Sequence, residues 1–255
     1  MENALLIGLS RQSALRRELD IVSNNIANLN TAGFKADGAV FSEYLMPTAR
    51  AEEFAKADQQ LSFVQDRATW RDMSEGPRQH TGNPLDVSIE GDGFLVVETP
   101  RGERYTRNGA MQINAAGELV TSAGYRVLGE TGPLTFNSND RDIVINPDGS
   151  VRVREGANAN SDAGRGRLRV VRFANAQLLE KDGSSTFAAP AGVLPEAAPA
   201  ARLVQGTIEK SNVRSIAEMS RMIELTRAYA NVATMLQQES DLRRSAIERL
   251  AEVPA

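Results

Sequence analysis

Chemistry needs side chains that attack, ligate or move protons, and this 255-residue chain is sparing with them. It has no Cys and one His, His80. The missing Cys excludes disulfides, thiolate metal sites and thiol nucleophiles. Any imidazole zinc site or Ser-His relay would depend on His80 alone. His80 has no partner at a recognised spacing and reads as a structural or solvated loop residue. Two Gly-Asp phrases, GDG at 91–93 and PDGS at 147–150, lack the alternating acidic spacing of a calcium loop and read as turns. In GRGRLRVVR (164–172), Arg165, Arg167 and Arg169 alternate, which is the solvated face of a strand. Without interleaved aromatics it is a poor platform for nucleic-acid bases. A G-x-x-x-x-G-K-[ST] phosphate loop is absent. Acids are plentiful, 33 Asp plus Glu, and nothing in the sequence singles out a glycosidase carboxylate pair among them. The expectation is a chain with no catalytic, cofactor-binding or metal-binding residues, no cofactor and no small-molecule substrate. It is not expected to be an enzyme.

Composition narrows the partners. Net charge is −4, which argues against general binding to nucleic acid or an anionic membrane. Aromatics are 5%, so no aromatic-rich binding surface is expected. No apolar run approaches the ~18 residues that span a bilayer. LLIGL (5–9) is too short for the apolar core of a signal peptide and follows Glu2 rather than Lys or Arg. No cleavable signal is expected.

The elements that would position any site fall into zones. Leu15, Leu19, Val22, Ile26 and Leu29 recur at a 4-3-4-3 spacing, so residues 3–30 read as a helix with a heptad seam. The helix runs into NNIANLNTAGFK (24–35), where four of twelve residues are Asn. Asn competes for backbone hydrogen bonds and suits a helix end. Gly33 is placed for a left-handed stop. Residues 1–35 are thus an N-terminal helix and signature turn, and 36–79 a connecting segment. From 80 to 205, short alternating runs between Gly-rich turns indicate an all-β domain. Within it, IVIN-PDGS-VRVR (143–154) reads as a hairpin. Residues 206–255 carry a C-terminal helix opened by the capping-box pattern Ser215-x-x-Glu218. That helix has two apolar stripes. One is Met222, Leu225, Tyr229, Val232, Leu236, Ile247 and Leu250, and the other Ile216, Met219, Ile223, Ala230 and Ala233. They lie roughly 120° apart at ~100° per residue. One N-terminal helix can cover one stripe, so the second calls for another chain. The fold class is a mainly β central domain with long N- and C-terminal α-helices, coiled-coil-like and ordered on assembly.

NNIANLNTAGFK resembles the N-terminal signature of bacterial flagellar axial proteins, the rod and hook group. The pattern there is roughly N-N-φ-A-N-x-N-T-x-G-[FY]-[KR], with φ apolar. Asn24, Asn25, Ile26, Ala27, Asn28, Asn30, Thr31, Gly33, Phe34 and Lys35 all match. TGNPLDVSIEGDGF (81–94), YTRNGAMQINAAGELVTSAGYRVLG (105–129) and IEKSNVRSIAEMSRMIELTRAYAN (208–231) are similar to further family phrases. The opening MENALLIGLSRQSALRRELD and the length are most similar to proximal-rod members. In LTRAYANVATM, Thr226 and Ala230 depart from the Gln and Glu usual in distal-rod and hook members.

The resemblance implies a structural subunit of the basal-body rod, self-assembling with other axial proteins into a hollow helical drive shaft in the periplasm. The alternatives are a distal-rod or hook-type protein, or a cell-wall-acting enzyme. Implied partners are other proximal and distal rod proteins and the flagellar type III export apparatus. Phe41-Ser-Glu-Tyr-Leu45 fits the family's F-x-x-x-φ export-gate pattern at Phe41 and Leu45. Residues implied in subunit packing are Leu15, Leu19, Val22, Ile26, Asn28, Asn30, Thr31, Gly33, Phe34, Met222, Leu225, Tyr229, Val232 and Leu236. At the signature turn, Asn28, Asn30 and Thr31 would bond open backbone groups, Gly33 supply positive φ and Phe34 anchor the turn by burial. The plainer reading is a helix cap with no part in subunit contacts. The first stripe has its own plainer reading, a private core between the two helices of one chain.

Overall fold

The computed structural model describes residues 2–45, 62–155, 162–183 and 185–251. They divide into two compact units. Among those residues one draws on 2–27, 37–45, 62–70 and 214–251, the other on 28–36, 71–155, 162–183 and 185–213.

The helical unit is built on α1 (Glu2–Ala27) and α2 (Ser215–Ala251). Leu15, Val22 and Leu225 are buried together, with Leu19, Ile26, Met222, Ala228, Tyr229 and Val232 packed around them. Leu236 lies against Gly8, where an added Cβ would come within 2.6 Å of a Leu236 methyl. The missing side chain lets the two helices approach. α1 ends at Ala27 rather than 30, so Leu29 lies beyond the seam it was expected to close. The Asn-rich tail turns instead. Thr31 N–H donates to the Asn28 carbonyl at 3.2 Å and Phe34 N–H to the Thr31 carbonyl at 3.3 Å.

The Ser215–Glu218 capping box gives way to a bond between helices. Glu218 N–H donates to the Arg214 carbonyl at 3.0 Å. The Glu218 carboxylate accepts from Asn25 Nδ2 at 3.3 Å. Buried Asn25 also brackets Asp37, donating to its carbonyl at 2.8 Å and accepting from its N–H at 3.0 Å. The expected connection 36–79 carries strands Asp37–Leu45 and Ser62–Arg71, paired in a two-stranded sheet. Their mixed charges hide the strand alternation.

The β unit is organised by strand Phe94–Thr99, which is buried on both faces. Successive side chains of a strand point to opposite faces. Leu95 and Val97 enter one core with Val87, Ile89, Leu119 and Val127. Phe94 and Val96 enter another with Tyr105, Phe173 and Phe187. Edge-to-face rings, such as Tyr105 on Phe173 at 4.7 Å between centroids, fix that second core. The principal sheet runs Glu180–Lys181, Thr186–Ala188, Gly102–Thr106, Phe94–Thr99, Arg126–Gly129, Leu119–Thr121, Met111–Ile113 in spatial order. The expected hairpin forms from Asp140–Ile145 and Ser150–Glu155, with Ile145 opposite Val151 and Gly149 at φ +88°. The hairpin gains a third strand, Asp162–Arg167, and the unit also holds two short ladders, Val87–Glu90 with Arg202–Gln205 and Arg78–His80 with Thr207–Glu209. The β unit therefore reaches beyond 80–205, from 71 to 213, and includes the stem 28–36.

Candidate functional site

The signature turn is read by the chain's own β unit. Gly33 adopts φ +67°, and an added Cβ would stand 2.4 Å from the Asn108 backbone nitrogen. Its N–H donates to the Glu209 carbonyl at 2.8 Å. Phe34 is fully buried, and the Lys181 ammonium lies 3.8 Å from its ring centroid. Lys35 is 0% exposed, and its Nζ donates to Glu209 Oε1 at 2.7 Å and to the Ser74 carbonyl. Ala36 N–H donates to Asn212 Oδ1 at 2.8 Å, and Asn212 Nδ2 donates to the Asp72 carbonyl at 2.8 Å.

Glu209, 1% exposed, sits between two buried cations. Its Oε2 accepts from Arg107 Nε at 2.7 Å, and its Oε1 also accepts from Gly76 N–H at 3.0 Å. Arg107 spends its other donors on the GDG turn and its lead-in strand. Nη1 reaches the Gly91 and Gly93 carbonyls at 3.0 and 3.1 Å, and Nη2 the Ile89 carbonyl at 3.1 Å. The planar fork of Arg suits this task where a point-charge Lys would not. The four quoted phrases meet here: Lys35 ends the first, Gly91 and Gly93 lie in the second, Arg107 in the third and Glu209 in the fourth.

Burial works against the charge on both partners of the ion pair. For Lys35, burial is the largest influence and, with Arg107 nearby, holds its pKa below the usual lysine range despite Glu209. For Glu209, burial is again largest, but Arg107, Lys35 and the Gly76 N–H outweigh it and keep the carboxyl below its usual range. The site is thus an ionised carboxylate held by two cations and one backbone N–H. It stores charge for structure. Among the described residues no group of three or more His, Cys, Asp or Glu could hold a metal ion.

The expected packing residues divide. Leu15, Leu19, Val22, Ile26, Met222, Leu225, Tyr229 and Val232 form the intrachain core of the helix pair, and Leu236 seats on Gly8. Gly33 and Phe34 are consumed within the β unit. Thr31 Oγ1 donates to Asn28 Oδ1 at 3.1 Å, closing the turn, while Asn30 is exposed. Phe41 and Leu45 fall in strand Asp37–Leu45, and their side chains lie outside those described. The second stripe of α2 is the open surface. Ile216 is 81% exposed, Met219 50% and Ile223 55%. Ile247, toward the far end of the first stripe, is exposed too, as is Leu242 on another face. The Arg alternation carries no free basic patch. Arg165 pairs with Asp140 and Glu155, Arg167 with Glu130, and Arg169 with Glu103. His80 is exposed on a three-residue strand.

Three family models match in chain order: the flagella basal body rod protein over residues 5–35, the flagellar hook protein FlgE/F/G D1 domain over 88–153, and the flagellar basal body rod FlgEFG protein C-terminal over 204–249. The chain is 38% identical to the flagellar basal-body rod protein FlgF of Caulobacter vibrioides, covering 99% of this chain and 100% of that one. The chain belongs to the flagellar basal-body rod protein family. It is a structural subunit of the basal-body rod. It is also 32% identical to FlgF of Escherichia coli K12, over 90% of each chain. To the rod protein FlgG of Bacillus subtilis it is 30% identical over 90% of this chain and 92% of the relative. The rod-protein match ends at Lys35 and the C-terminal match contains Glu209, so the buried ion pair joins two separately recognised family segments.

Proposed function

We propose that this subunit belongs to the proximal rod and is built into a hollow helical shaft by lateral packing of its terminal helices. The observation that carries this reading is the second stripe of α2, an apolar row left in solvent after Met222, Leu225, Tyr229, Val232 and Leu236 of the first stripe are spent on α1. Repetition of such a contact by a rotation that does not close gives a helical filament. Neighbouring rod subunits would cover the stripe, extend the helix pair into coiled-coil-like packing and order the helix ends on assembly. Full-length similarity to FlgF supports the proximal position. In this reading the chain passes through the type III export apparatus without a cleavable signal and does no chemistry. Among the described residues no helix is long and apolar enough to cross a membrane. The test is to purify basal bodies with and without the gene and identify their components by mass spectrometry. A stoichiometric component whose loss stops rod growth supports the proposal. Normal basal bodies that never contained the chain would overturn it.

A further inference from the structure

The stem 28–36 is seated in the β unit by polar contacts more than by the hydrophobic cores. Apart from Phe34, its fixed points are the Lys35 bonds to Glu209 and to the Ser74 carbonyl, the Gly33 N–H on the Glu209 carbonyl, the Ala36–Asn212–Asp72 chain of hydrogen bonds, and two backbone bonds, Asp72 N–H to the Ala36 carbonyl at 2.9 Å and Asn212 N–H to the Phe34 carbonyl at 3.4 Å. Neither β core contains a residue of the stem. The stem can therefore leave without opening either core, provided that Glu209 loosens. We propose that Lys35, Glu209 and Arg107 form an acid-released latch, in which protonation of Glu209 frees the stem segment 28–36 while the β unit stays folded.

Charge balance governs the release. Glu209 faces Lys35 from the stem and Arg107 from the segment after strand Gly102–Thr106. Glu75 approaches Arg107 Nη2 at 3.9 Å, and Asp72 acts on Lys35 through space. Glu75 is open to solvent and directed to the Gly91 N–H, so it does not replace a buried anion. Neutralising Glu209 leaves two buried cations without their shared counter-ion, and removing one partner of such a pair is far costlier than never having had it. Lys35 relieves the imbalance by leaving with the stem. Arg107 remains tied to three carbonyls of 89–93. Released Glu209 titrates as an ordinary carboxyl, so proton binding favours the open state. Between the held and the released value the open population rises by up to ~10-fold per pH unit.

Hydrogen exchange of the full chain, followed by mass spectrometry and corrected for intrinsic rate, tests this. The Gly33 and Gly76 amides report the latch, and the amides of 94–97 and 127–128 report the two cores. In Glu209→Gln at neutral pH, exchange at 28–36 and at Gly76 is expected to rise at least ~10-fold with 94–97 unchanged. The wild-type chain should show the same selective opening as pH falls below the usual glutamate range, and the variant should show no further response. Opening of latch and cores together, in either protein, would mean that the triad is a support of the global fold and would overturn the proposal. So would a stem that stays protected in both.

Discussion

The two units solve opposite problems with their most informative residues. The β unit buries charge and leaves it fully satisfied: Lys35, Glu209 and Arg107 are 0%, 1% and 3% exposed, and every partner comes from the same chain. The helical unit does the reverse and leaves apolar side chains in solvent along α2. A buried polar network gives specificity to one chain, since it tolerates only one set of partners. An exposed apolar row gives adhesion toward something else. The family signature is an internal fastening, and the apolar row left in solvent lies on α2, where the proposed assembly surface is placed.

Arg107 is the residue whose loss costs the β unit most. Arg107→Ala strands Glu209 with one cation and opens three carbonyls of 89–93, a loss of about 3–5 kcal/mol. Urea unfolding should show it as a lowered midpoint. Leu225→Asp places a charge in the core of the helix pair and should cost about 3 kcal/mol or more there, seen as lost helical circular dichroism with β-unit signals retained. Gly33→Ala combines positive φ with a backbone clash and should cost about 1–3 kcal/mol by the same urea measurement.

Acid should weaken the β unit further. A carboxyl held below its unfolded value contributes in full above the ordinary carboxylate range and loses that contribution as pH falls through it. Asp140, held by its hydrogen bond from Arg165, and Asp182, held by its hydrogen bond from Arg104, are such groups. The urea midpoint should decline steadily from about pH 5 downward. A flat profile to pH 3 would contradict these assignments. Smallest in stability is Ile223→Asp, at most about 0.5 kcal/mol, because the side chain already faces solvent.

What the sequence could reveal follows the range of each interaction. The α1 seam, the Gly33 turn and the 143–154 hairpin are local, and each was legible from spacing and turn chemistry. The two stripes of α2 were legible for the same reason, but the residues expected to pack on other subunits, Met222, Leu225, Tyr229, Val232 and Leu236, are the ones that α1 covers. The lock was not. Lys35 meets Glu209 across 174 positions and Arg107 meets Glu209 across 102, and no periodicity links them. Each stood inside a family phrase as an ordinary polar residue. The capping box failed because Glu218 found Asn25 on the facing helix, 193 positions away. Strands Asp37–Leu45 and Ser62–Arg71 were missed because charges interrupt their alternation.

Incorporation of the Ile223→Asp chain into rods, measured by mass spectrometry of purified basal bodies beside urea unfolding of the same protein, tests the central claim most directly. The expected result is a chain with an unchanged unfolding midpoint that is missing from the rods. A chain that folds normally and is incorporated at wild-type stoichiometry would show that the exposed stripe of α2 is not the assembly surface.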